Sequence, residues 1–79
     1  MEPEVAFGII LKKYRKKNNL SQEKLSEASD LDRTYISLLE RGQRQPSLKT
    51  ILSISKVFGV SATDIISKVE ERIKQQPKS

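Results

Sequence analysis

The stretch Leu20–Gly42, LSQEKLSEASDLDRTYISLLERG, decides the reading of this 79-residue chain. It divides into two short helices joined by a tight turn. Ser21 is placed as the N-cap of the first helix, with Glu23 in the opening turn. Lys24 stands where an acidic or amide side chain would complete a capping box, so the cap is only partial. Leu25 and Ala28 are expected to face inward, and Ser29-Asp30-Leu31 is expected to form the turn. Asp32 is placed as the N-cap of the second helix, which runs to Arg41 and buries Ile36 and Leu39. Gly42 stops it. Leu25, Ala28, Leu31, Ile36 and Leu39 then form a small shared core, and Ala28 lets the two helices approach closely. The opposite face of the second helix is left to Arg33, Thr34, Ser37 and Leu38, with Tyr35 flanking.

The sequence on either side is also helical. Towards the N-terminus, Phe7, Ile10, Leu11 and Tyr14 recur at i, i+3, i+4 and i+7, a single apolar stripe from about Pro3 or Glu4 to Lys17. Pro3 suits a first helical position and Glu4 complements the positive end of the helix dipole. Lys12, Lys13, Arg15, Lys16 and Lys17 crowd the C-terminal half, where cations are favourable, and Asn18-Asn19 ends the helix. Beyond the polar connection Gln43–Pro46, Ser47 is expected to cap a fourth helix with Leu48, Ile51, Ile54, Val57 and Phe58 as its apolar set. Gly59 ends that helix. Ser61 caps a fifth, in which Ala62, Ile65, Ile66, Val69 and Ile73 keep helical spacing. No segment alternates like a strand. The expectation is an all-α, compact five-helix domain over residues 1–74, followed by a polar tail, Gln75–Ser79.

Composition narrows the chemistry. The chain has no Cys and no His, so disulfides, thiolate chemistry, the common zinc sites and the commonest general base are absent. Glu23, Glu27 and Asp64 have no nucleophile or metal partner to work with, so no catalytic residue, metal or cofactor is expected. A net charge of +5 favours a polyanionic partner without identifying it. No apolar run approaches the ~18 residues of a membrane span. The opening Met-Glu-Pro-Glu has the wrong sign for a secretory signal, and the expectation is a cytoplasmic, reducing location.

Two helices sharing a small core across a tight turn, with Arg, Thr and Ser on the outer face of the second, suit double-stranded DNA. In such a unit the second helix enters the major groove while the first crosses the backbone. Arg33 sits at a helix start, where its charge opposes the dipole, which points to a purpose other than helix stability. Arginine on guanine O6 and N7 is the commonest specific base contact. The backbone N–H of Gln22 lies at a helix N-terminus, a natural seat for phosphate. Lys12, Lys13, Lys16 and Lys17 read as a solvated charged face.

The order and spacing of LSQEKL, the inward Ala28, Leu31, Ile36 and Leu39, and Glu40 resemble the helix-turn-helix of the Cro/C1 (XRE-type) repressor family. GVSATDII at Gly59–Ile66 resembles that family's closing element, and the likeness covers about residues 7–67. LDRTYISLLERGQRQPS is similar to the controller proteins of restriction–modification systems, which are small dimeric transcription regulators. The resemblance implies a lambda-repressor-like fold. It implies that Gln22 binds a phosphate, that Arg33, Thr34 and Ser37 face base edges, and that Tyr35 lies near the backbone or an adjacent base step. Arg44 matches a controller-like position that contacts DNA, and Arg15 is implied to pair with Glu40. Leu38 departs from the family's polar or small residue, so its contact is apolar, such as a thymine methyl, or absent.

One helix-turn-helix reads few bases, and a homodimer on a pseudo-palindromic operator is the usual remedy. Ile66, Val69 and Ile73 extend the apolar face of the last helix beyond what a small monomer needs and are the expected dimer seam. No small-molecule ligand is expected. The competing reading is a protein-interaction module of the antitoxin or anti-repressor type, favoured by Leu38 and Tyr35 on the outer face. A membrane-surface role for the first helix is disfavoured, because core burial explains its stripe.

Overall fold

Pro3 opens the first helix, α1 (Pro3–Lys17), and Asn18-Asn19 closes it, with Asn19 in the left-handed region. The computed structural model describes residues 1–75 and continues with α2 (Gln22–Ser29), α3 (Arg33–Glu40), α4 (Leu48–Phe58) and α5 (Ala62–Lys74). Among the described residues there is no strand, and the all-α five-helix expectation holds. Of the tail expected over Gln75–Ser79, Gln75 is the C-cap of α5, its N–H reaching the Glu71 carbonyl, and residues 76–79 lie outside the described residues.

The caps explain why the short helices begin and end where they do. Ser21, Ser47 and Ser61 each accept a hydrogen bond from the N–H three residues on. At Ser61 the cap is a full box, because the Asp64 carboxylate also accepts from the Ser61 N–H. Asp32 has the extended backbone of an N-cap, but its carboxylate makes no hydrogen bond to the first turn of α3. After α3, Gly42 turns left-handed (φ +71°), its N–H reaches the Leu39 carbonyl and that of Gln43 reaches Leu38, a Schellman closure. Arg41 is the C-cap rather than the last helical residue.

Α single core joins all five helices: Ala6, Phe7, Ile10 and Leu11 of α1, Leu25 of α2, Ile36 and Leu39 of α3, Ile54 and Phe58 of α4, Ile65 and Val69 of α5. Tyr14 stacks on Phe58 with ring centroids 5.4 Å apart. Leu31 is half-buried against this cluster.

Four expectations need correction. Ala28 is exposed, and Ser29, which ends α2 rather than starting the turn, is buried instead. Around a helix, Ser29 lies ~40° from Leu25 on one side and Ala28 ~60° on the other. The partner helices lie on the Ser29 side, and the Ser29 hydroxyl is satisfied by donating to the Leu25 carbonyl at 2.6 Å. Leu48 does not join the core; it is 72% exposed and Leu52 53%. Both are turned more than about 100° from Ile54 around α4. Val69 does not need a second chain, being only 7% exposed within this one, where α5 packs on α1. Ile73 is half-buried against the same core, and of the expected seam only Ile66, at 40%, is exposed.

Gly8 permits the contact that sets α1 against α3. A Cβ there would collide with the Leu39 carbonyl oxygen and lie 2.8 Å from that of Glu40. Both obstacles are backbone and cannot swing aside. Gly8→Ala is therefore expected to destabilise the chain by ~2 kcal/mol or more, despite alanine's better helix propensity, as overpacking does. A denaturant midpoint equal to wild type would contradict this closeness. Val69→Glu is expected to abolish the thermal transition, since it puts a carboxylate into the core.

Candidate nucleic-acid interface

Helix α3 is short, and its position depends on what holds its two ends. At the C-terminal end, Glu40 accepts from Arg15 through two oxygens: Arg15 Nε to Oε2 at 2.6 Å and a terminal guanidinium nitrogen to Oε1 at 3.0 Å. The other terminal nitrogen of Arg15 donates to the Leu20 carbonyl at 2.9 Å, and Gln22 Nε2 donates to Glu40 Oε1 at 3.1 Å. One carboxylate thus ties α1, the start of α2 and the end of α3. The side chains of Arg15 and Glu40 are only 11% and 4% exposed. The hydrogen bond to Glu40 raises the Arg15 pKa above the ordinary arginine value, against the opposing effect of burial. Stability from that raised value is fully present below the ordinary arginine range and is lost only above it.

Towards the middle of α3, Tyr35 leans away from the outer face. Its hydroxyl lies 3.1 Å from Thr50 Oγ1, and Ser47 Oγ donates to the same Thr50 oxygen at 2.9 Å. Thr50 is buried, so this chain of hydroxyls fixes α3 to the start of α4. Tyr35 was expected beside DNA; here its ring packs against the core and its hydroxyl is engaged within the protein.

The remaining candidates share one surface. Arg33 and Thr34, in the first turn of α3, are exposed, and Ser37 and Leu38 are half-exposed. Arg41, which sequence reasoning used only as a helix end, is exposed next to them and donates from Nε to the Ser37 carbonyl at 3.4 Å. Taken around the helix, these five positions span an arc of ~140° with Arg41 inside it. The signal was present in the sequence, since Arg41 follows Ser37 by four residues. Arg44 is exposed in the α3–α4 connection. Gln22 is the first residue of α2, so its backbone N–H lacks an intrahelical acceptor and points outward from the helix start. Its side chain is spent on Glu40, a link that needed the packing of α2 over α3 to be seen. Among the described residues, no carboxylate pairs with Arg33, Arg41 or Arg44, and no cluster of acidic groups is placed to hold a metal.

The surface and fold together are those of a helix-turn-helix regulator. Residues 11–65 match the family described as helix-turn-helix. The chain is 49% identical over 61 residues to control protein C.BamHI of Bacillus amyloliquefaciens, covering 76% of this chain and 75% of that one. It is 42% identical over 69 residues to control protein C.MunI of a Mycoplasma species, covering 86% and 93%. The restriction–modification controller protein C.Esp1396I, solved as a tetramer with its natural 35 base-pair operator, superposes with a TM-score of 0.84 at 31% identity, covering 95% of this chain and 99% of that one. The chain belongs to the helix-turn-helix family of control proteins. This is a family of non-enzymatic transcription regulators. Among the described residues, no single helix is long and apolar enough to cross a membrane.

The two ion pairs make a sharp contrast. Glu40→Ala would leave the Arg15 guanidinium buried and unpaired, and is expected to cost ~3 kcal/mol or more of stability. The Lys24–Glu27 pair is 3.6 Å apart with both side chains more than 60% exposed, and Lys24→Ala is expected to change stability by less than ~0.5 kcal/mol. Urea unfolding of both variants checks the contrast; equal midpoints would mean that Glu40 anchors nothing.

Proposed function

We propose that this chain is a homodimeric, cytoplasmic regulator of the restriction–modification controller type that reads a pseudo-palindromic operator with α3. The observation that carries the reading is the outward face of α3: Arg33, Thr34, Ser37, Leu38 and Arg41 on one arc, unpaired by any described carboxylate, on a helix anchored from behind at Glu40 and Tyr35. Arg33 is the base reader, with Thr34 and Ser37 beside it. Leu38 supplies an apolar contact. Gln22, through its backbone N–H, and Arg44 hold phosphates and fix the register. Tyr35 acts by positioning α3.

The dimer reading moves from the end of α5 to a strip made by Leu48 and Leu52 of α4 and Ile66 of α5. These three are exposed apolar side chains, whereas Val69 is in the monomer core. Leu48 and Leu52, four residues apart, share one face of α4, and exposed apolar side chains of this size suit an interaction surface. A two-fold pairing through this strip would present two copies of α3 to successive turns of one duplex face, ~34–36 Å apart. The competing protein-interaction reading loses support, because Tyr35 is packed inward and leaves Leu38 alone on a polar face.

Three variants test the assignment on an operator obtained by selection. Arg33→Ala is expected to lose ~1–3 kcal/mol of operator affinity and relax preference at one base position, with unchanged melting. Gln22→Pro, which removes the backbone N–H at a first helical position where proline is tolerated, is expected to weaken operator and random duplex by similar factors, because phosphate contacts carry no sequence information. Ile66→Glu is expected to give a folded monomer by sedimentation with much weaker operator binding. Wild-type affinity in Arg33→Ala would remove α3 as the reader, and a dimeric Ile66→Glu protein would remove the strip as the interface.

A further inference from the structure

The face of α1 that looks away from α3 carries a second surface. Gly8 and Arg15, seven residues apart, face α3, while Ile10 and Lys17, also seven apart, are turned ~200° from them. On that side α1 and α5 enclose a groove of about 250 Å³. Ile10 and Tyr14 give it an apolar floor, and Tyr14 is held there by its stack on Phe58. Lys13, Lys17, Lys68 and Arg72 rim it, with Glu71 as the one acid in the lining. Among the described residues none of these four cations has an ion-pair partner.

We propose that this groove docks an acidic peptide segment of a partner protein, anchored by one bulky apolar side chain. The groove is smaller than the ~300–1,000 Å³ of typical small-molecule sites, which suits a single anchoring side chain better than a whole ligand. Four cations against one carboxylate call for an anionic occupant, and the apolar floor calls for more than charge. Duplex DNA offers no apolar side chain for that floor. Since the groove faces nearly opposite to α3, a DNA-bound chain leaves it open, and the regulator can hold operator and partner together. The surface shares no residue with the proposed Leu48–Leu52–Ile66 strip, so dimerisation through that strip would leave these residues free. The inference goes beyond the operator reading and does not depend on it.

The test uses the full chain without DNA. A short fluorescein-labelled synthetic peptide with acidic residues around one central leucine is titrated by anisotropy, alongside the same peptide with serine in place of leucine. The expected result is saturable binding of the leucine peptide, severalfold weaker binding of the serine peptide, and amide chemical-shift changes confined to α1 and α5. The double variant Lys68→Gln/Arg72→Gln, which melts like wild type because both residues lie outside the core, is expected to lose most of the peptide affinity. Equal binding of the two peptides would reduce the groove to a charge field and overturn the proposal. Shift changes centred on α3, or displacement of the peptide by random duplex, would assign the binding to the DNA face and overturn it as well. A double variant that changes self-association would make a second copy the occupant, with the same consequence.

Discussion

The Glu40 carboxylate, held by Arg15 and Gln22, is the interaction on which the working surface depends. An eight-residue helix has little stability of its own, because helix nucleation is costly and few hydrogen bonds follow it. Ile36 and Leu39 seat α3 in the core, but two apolar contacts do not fix how far a short helix rotates or slides. The bidentate geometry at Glu40 does, since it joins the end of α3 to α1 and to the start of α2 at distances of 2.6–3.1 Å. Burial makes the pair an all-or-nothing device: intact it is satisfied, and broken it leaves a charge without solvent. The hydroxyl chain of Tyr35, Thr50 and Ser47 performs a milder version of the same task from the α4 side.

Such anchoring matters because base recognition is a matter of fractions of an ångström. As the proposed base reader, Arg33 would gain discrimination only when its guanidinium meets a base edge in two places, and a helix free to rock would spread it over several positions. The proposed phosphate seats share the same frame. Gln22 begins α2 and also touches Glu40, so the residue proposed to set the register is tied to α3 by one hydrogen bond. The side chain of Gln22 links the start of α2 to the end of α3, which leaves its backbone N–H free for the proposed phosphate contact.

The helix boundaries were legible because serine caps and left-handed stops are local features. Ser21, Ser47, Ser61, Gly42 and Gly59 stand where their chemistry places them. The outward face of α3 was legible too, since Ile36 and Leu39 fix the inward direction and the rest follows from helical spacing. Burial on the flanking helices was less so. Ala28 and Ser29 differ by one step around α2, and polarity favours Ala28 for the inside; only the position of the partner helices reverses the choice. Val69 and Leu48 show the same limit. Apolar spacing told that α5 has more hydrophobic surface than one stripe needs and put Leu48 in the apolar set of α4, but not which part the monomer covers. Gly8 gave no signal in a helical stretch, because its role is the nearness of another backbone.

In the proposed function, one anchored helix per chain reads sequence and two chains read it together. Selection of bound duplexes from a random pool by the purified chain, at near-physiological salt, tests this most directly. The expected result is enrichment of a two-fold symmetric sequence whose half-sites are centred about 10 base pairs apart, or a multiple of that turn. Bound duplexes that stay random after repeated rounds, or a single asymmetric site with no second half, would contradict it.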